Sequence, residues 1–180
     1  MQNIILYLII IANIVVYYLT YTEKLSLGRL ADSYSTTLRH KQYYRLITSA
    51  FCHKNIIHLV LNMIALYNVG TSIIFYYGPI LFVIIYFVTM IAGEILSLLI
   101  HHNQGQDDLY SVGSSGAICG LIGAILMLYA YHFGILNAFR SLSTTLIYLV
   151  VMSFLPQVDG VSHICCLAVG VAVAYLLMLI

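Results

Sequence analysis

The stretch Gly113-Ser114-Ser115-Gly116-Ala117-Ile118-Cys119-Gly120-Leu121-Ile122-Gly123-Ala124-Ile125 brackets two serines with glycines and then runs uncharged to Phe133. It predicts an apolar helix that begins at the serines. The first N–H groups of a helix lack intrahelical partners, and with the helix dipole they favour an anion beside Ser115. Gly113 and Gly116 let another backbone approach closely. Ser114 could also be no more than the N-cap. A second stretch, Val158-Asp159-Gly160-Val161-Ser162-His163, opens another apolar helix with one histidine. Polar side chains at membrane depth are expensive and mark function by default. A serine and a histidine, each at the mouth of its own helix, suggest a nucleophile and its base.

Composition supports a membrane setting. Of 180 residues, 62% are hydrophobic and 7% are charged, and the mean hydropathy is +1.00. Soluble domains carry about 25% charged residues, so this chain cannot cover a globular surface and lipid must face much of it. A net charge of +1 gives no argument for a nucleic-acid partner. Cys52, Cys119, Cys165 and Cys166 form no CxxC pair and read as small packing residues, not as a disulfide framework or a zinc site. Residues 1–20 have no early basic residue and no small-x-small cleavage site, so they read as a retained first span.

A spanning helix needs roughly 20 apolar residues. Six segments approach that length, at residues 4–21, 56–75, 79–100, 115–133, 142–155 and 161–180, the fifth being short. The expected fold is all-α: one polytopic domain over 1–180, a bundle of six helices. Gly78-Pro79 separates the second and third segments, proline being suited to a first helical position. The connection from Thr22 to Asn55 holds six of the seven basic residues: Lys24, Arg29, Arg39, Lys41, Arg45 and Lys54. The positive-inside rule would put that loop in the cytoplasm.

Further polar residues interrupt the apolar runs. His58 and Asn62 are four apart and share one helix face. They read either as interhelical polar contacts or as donors aimed at a developing oxyanion. Gly116, Gly120 and Gly123 or Ala124 form a small-residue stripe, matched by Cys166, Gly170 and Ala174 after His163. Packing the two stripes together would bring Ser115 and His163 towards hydrogen-bond range. Glu94 is the single acid inside a span, has no evident charged partner there, and is expected to be protonated or hydrogen-bonded to another helix. His101 and His102 are expected at the membrane interface. With Asp107 and Asp108 they lack zinc-ligand spacing, so no metal and no cofactor are implied.

Together these pieces resemble the rhomboid family of intramembrane serine proteases. The resemblance rests on Gly113 to Gly116, on His53, His58 and Asn62 (His-x4-His-x3-Asn), and on Val158 to His163. Tyr43-Tyr44-Arg45-Leu46-Ile47-Thr48-Ser49 is similar to the family's Tyr-Trp-Arg-Leu-x-Thr-Ser lead-in. It implies Ser115 as nucleophile, His163 as general base, and an oxyanion hole from His58, Asn62 and the Ser115 N–H. Gly113 and Gly116 would support them. The implied partners are transmembrane protein substrates in a lipid bilayer. The implied location is a multi-pass position in the cell membrane with a cytoplasmic amino terminus, against the charge count. Tyr44 stands where the family has tryptophan. Cys165 and Cys166 stand where it has paired glycines, which implies a looser packing of the sixth segment on the fourth. An inactive relative that holds client helices is the alternative, and intact Ser115 and His163 argue against it. A small transporter would need an inverted repeat or broken helices, and none is evident.

Overall fold

The computed structural model describes residues 3–153 and 158–179. Eight α-helices occur among them: α1 (Ile4–Tyr21), α2 (Leu27–Leu30), α3 (Arg45–Thr48), α4 (Ile56–Asn103), α5 (Ser115–Phe133), α6 (Ile135–Ser141), α7 (Ser143–Ser153) and α8 (Gly160–Leu177). A π-helical turn, Tyr34–Arg39, and a 3-10 turn, Ser49–Phe51, lie between α2 and α4. The loop expected as a plain polar connection is therefore folded.

α4 is not one rod. Gly78 adopts φ +81 and ψ 168, outside the helical region, and Pro79 follows it. A positive φ suits glycine, and proline cannot donate to the preceding turn. The chain reverses there. A Cβ on Gly70 would lie 3.3 Å from the Phe82 ring, whereas 12 residues of straight helix would separate them by about 18 Å. Residues 56–77 and 79–103 thus form a helical hairpin, close to the two segments expected at 56–75 and 79–100.

Among the described residues four helices are long and apolar enough to cross a membrane: α1, α4, α5 and α8. The expected fifth segment, 142–155, corresponds to α7 as far as Ser153, and residues 154–155 lie outside the described residues. Residue 180, the end of the expected sixth segment, also lies outside them. α6, after Gly134 at φ +83, was not expected.

α5 is the central helix. Every residue from Gly116 to Ile125 is buried, and α5 packs on both α4 and α8. Its small residues follow from that crowding. A Cβ on Gly170 would sit 1.9 Å from the Gly120 carbonyl oxygen, and one on Gly120 would sit 2.2 Å from Thr89 Oγ1. Helices approach this closely in lipid when small residues line the contact. By contrast α1 buries Leu6, Ile9 and Asn13 and leaves Ile11, Ile14 and Tyr18 exposed, as a lipid-facing helix should.

Gly170→Ala should therefore lower unfolding stability in detergent by about 1–3 kcal/mol, since the new methyl meets backbone and cannot be relieved by a rotamer change. Gly28→Ala, whose Cβ would find its nearest atom at 3.9 Å, should not lower it. Equal melting of the two variants would contradict the close approach.

Candidate active site

Ser114 caps α5 in position only. Its backbone is helical, its side chain makes no capping bond, and its Oγ is buried without a partner among the described residues. Ser115, the first helical residue, is partly exposed and lines two cavities. The turn before it is held by the Gly113 N–H, which donates to the Ser49 carbonyl at 3.0 Å. The first loop thereby sets where α5 starts.

α8 brings the histidine. Asp159 is the N-cap of this helix and accepts a hydrogen bond from the Ser162 N–H at 3.0 Å. His163 follows in the first turn, 5% exposed. Its Nε2 lies 2.9 Å from Ser115 Oγ. The two stripes of small residues pack as expected, and the serine and histidine meet at one end of the contact.

His58 and Asn62 come from the first half of α4. Gly113 has φ +121, and a Cβ there would lie 2.8 Å from His58 Nε2 and 3.4 Å from Asn62 Nδ2. Both nitrogens therefore converge beside the turn that carries Ser115, and only glycine leaves them room. Asn62 is 7% exposed, and its Nδ2 has no partner among the described residues. An interhelical tether would have used that donor. His53 packs edge-on against His58 with ring centroids 5.0 Å apart. Burial, helped by the neighbouring His58 ring, pushes the His53 imidazole down to about 3, so it is a neutral buttress.

Two cavities share His58, Ser115 and His163. One, of about 390 Å³, is also lined by Lys54, Tyr110 and Asp159. The other, of about 480 Å³, lies between α4, α5 and α7 and is lined by Asn62, Cys119 and Leu149 among others.

His101 is 3% exposed, and its Nε2 lies 3.0 Å and 3.1 Å from the two Asp159 oxygens. Glu94 is held by a neutral group of another helix, Ser162 Oγ donating to its Oε2 at 2.7 Å. One expectation needs correction. The packing at Cys166 is not loose. Its side chain is fully buried, and Gly93 makes room for it, since a Cβ there would lie 2.4 Å from Cys166 Sγ. Reading Glu94, Ser97 and His101 at spacings of three and four would have revealed a polar stripe on α4. His102 is exposed, stacked on Tyr34 and paired with Asp107. Among the described residues no group of three or more His, Cys, Asp or Glu side chains could hold a metal ion.

Tyr44 donates to the Arg29 carbonyl at 3.3 Å, and Arg45 Cζ stands 5.5 Å from its ring centroid. Arg45 is buried and donates to the Gly28 and Ala31 carbonyls and to Gln42. The arginine of the lead-in thus organises the first loop.

Comparison with known proteins gives a family match described as Rhomboid domain over residues 40–180. The chain is 29% identical over 153 residues to RHOMBOID-like protein 6, mitochondrial, of Arabidopsis thaliana, covering 83% of this chain and 48% of that protein. It is 30% identical over 128 residues to Rhomboid protease GluP of Bacillus subtilis (strain 168), covering 68% and 24%. It is 28% identical over 136 residues to Inactive RHOMBOID-like protein 8 of Arabidopsis thaliana, covering 73% and 37%. The chain spans about half or less of the length of these relatives.

The geometry around Asp159 makes a prediction about stability. Asp159→Asn keeps an oxygen for the Ser162 N–H and should melt within about 0.5 kcal/mol of the parent, whereas Asp159→Ala should lose about 1–2 kcal/mol. Equal loss in both, measured by thermal unfolding in detergent, would show that the charge and not the cap matters.

Proposed function

Because this chain belongs to the rhomboid family, we propose that it is an intramembrane serine endopeptidase. It would cut a peptide bond of a transmembrane or membrane-proximal segment through an acyl-enzyme on Ser115. The observation that carries this reading is the 2.9 Å contact between Ser115 Oγ and His163 Nε2. That is the nucleophile–base geometry of serine acyl transfer.

As Oγ attacks the scissile carbonyl, His163 Nε2 takes its proton and then delivers it to the leaving amine. The carbonyl oxygen gains negative charge beside the Ser115 N–H, His58 Nε2 and Asn62 Nδ2. One such preorganised donor is worth roughly a hundredfold or more in rate. Water then attacks the acyl carbon, His163 again accepting the proton. Asp159 stays outside the unit, since its oxygens are engaged with the Ser162 N–H and His101. The catalytic pair is a dyad.

The two cavities suit two reactants. The apolar one between α4, α5 and α7 fits a substrate helix end, which must unwind to present its carbonyl, so weak helix formers near the cut are favoured. The mouth lined by Lys54, Tyr110 and Asp159 admits water. The chain crosses the membrane six times, α4 counting twice and α7 serving as the short fifth pass. The amino terminus is cytoplasmic and the first loop lies on the far side. Two of that loop's basic residues are engaged within the protein: Arg45 is buried, and Arg39 pairs with Asp107.

Cleavage of a transmembrane reporter should disappear in Ser115→Ala with the fold intact. Ser114→Ala should keep activity within about tenfold of the parent, because its hydroxyl faces the core and not the cavities. Activity lost only in Ser114→Ala would move the nucleophile. A folded parent that binds the reporter without cutting it would support the inactive, helix-holding reading.

Orientation is tested at Lys24, which is exposed in the first loop. Lys24→Cys should react with an impermeant thiol reagent in intact cells, the four native cysteines being buried. Reaction only after lysis would reverse the topology.

A further inference from the structure

A buried carboxyl in a spanning helix is costly unless it holds something in place. Glu94 is such a group, set in the second half of α4 and buried. Its Oε2 accepts from Ser162 Oγ at 2.7 Å, and Ser162 is the residue next to His163. The Ser162 N–H is held by Asp159, whose carboxylate pairs with His101. Glu94 and His101 stand two turns apart on one face of α4. The start of α8 is therefore tied to α4 at two points, Asp159 and Ser162, both just ahead of the base. The Ser162–Glu94 bond also passes beneath the nucleophile's own helix. A Cβ on Gly116 would lie 3.2 Å from Ser162 Oγ and 3.9 Å from Glu94 Oε2.

The other side of Glu94 meets Asp32 of the first loop. Asp32 is fully buried, and its backbone pairs with Ser111, two residues before Gly113. As two carboxylates, neither group offers the other a donor; one proton between them supplies it. Burial, and after it the charge of Glu94, holds the Asp32 carboxyl well above the usual carboxylate range. Glu94 thus joins three parts: the first loop, the strand-like segment that leads to Ser115, and the turn that carries His163.

We propose that Glu94 is a positioning residue that sets His163 against Ser115 through its hydrogen bond with Ser162. The inference deepens the protease reading of that pair and rests on it. A shift of about 1 Å in a reacting group can cost a hundredfold in rate. Simple helix-to-helix adhesion, the competing role, would cost folded protein and leave the chemistry of the remainder intact.

The test compares Ser162→Ala, Glu94→Leu, their double variant and Glu94→Gln in the full chain. Readouts are kcat and KM on a transmembrane reporter, the melting temperature, and the ring-nitrogen NMR shifts of His163, assigned with His163→Gln. Ser162→Ala and Glu94→Leu should each lower kcat about ten- to hundredfold, with KM within about twofold of the parent. The double variant should be no slower than the slower single, as expected when two residues act through one bond. Glu94→Gln should stay near the parent, because its amide oxygen accepts from Ser162 and its NH2 donates to Asp32. The His163 ring signals should move in the first three variants and not in Glu94→Gln. Multiplying losses, losses that follow only the folded fraction, or unmoved ring signals in Ser162→Ala would overturn the proposal. Should the parent cut nothing, the protease reading falls, and the ring signals still decide whether Glu94 and Ser162 position His163.

Discussion

The backbone of α5 touches the backbone of α8 at Gly120 and Gly170, so closely that one added methyl would overlap a carbonyl oxygen. Lipid tails are as apolar as leucine, so burying apolar surface does little to bring helices together in a membrane. Dispersion at short range and hydrogen bonds must do it. This contact meets the first requirement, and it fixes the separation and rotation of the two helices. Ser115 lies five residues before Gly120, and His163 seven before Gly170. At 1.5 Å per residue both stand about 7–11 Å along their helices from the crossing, at the same end. Their 2.9 Å contact follows from the crossing.

Polar groups then gather at that end. Loop segments tie to one another through Asp32 with Ser111, Ser35 with Asp107, and Gly113 with Ser49. Side chains from α4 reach the first turn of α8 through Glu94 and His101. In a low-dielectric interior an unmatched polar group costs more than in water, yet both His53 ring nitrogens, Ser97 Oγ and Ser114 Oγ are buried with no partner among the described residues. The Asn62 amide nitrogen is another. It faces the turn that carries Ser115, and a donor left open there has a use once an oxyanion forms. Rigidity in the frame and an open donor in the site are complementary.

Much of this was legible in the sequence. Apolar runs of spanning length, the glycine–proline break at Gly78 and Pro79, and the two small-residue stripes each carry a local physical signal. They placed α1, both halves of α4, α5 and the start of α8 within a few residues. The rest depended on contacts between distant segments. No local pattern tells that Asp32 enters the core, that His101 meets Asp159 across 58 residues, or that Gly93 yields space for Cys166. The first loop folded into short helices because Arg45, buried, gathers the carbonyls of Gly28 and Ala31. A polar composition conceals that kind of order. The roles of Ser115, His163, His58 and Asn62 came from a resemblance to a family, and the geometry supplies their proximity.

The most direct measurement of the central claim is to treat the detergent-solubilised protein with a serine-reactive fluorophosphonate and map the adduct by peptide mass spectrometry. The account predicts one covalent adduct, on Ser115, formed rapidly in the parent and lost in His163→Ala while that variant remains folded. An adduct on another serine, or labelling of Ser115 that is indifferent to His163, would contradict it.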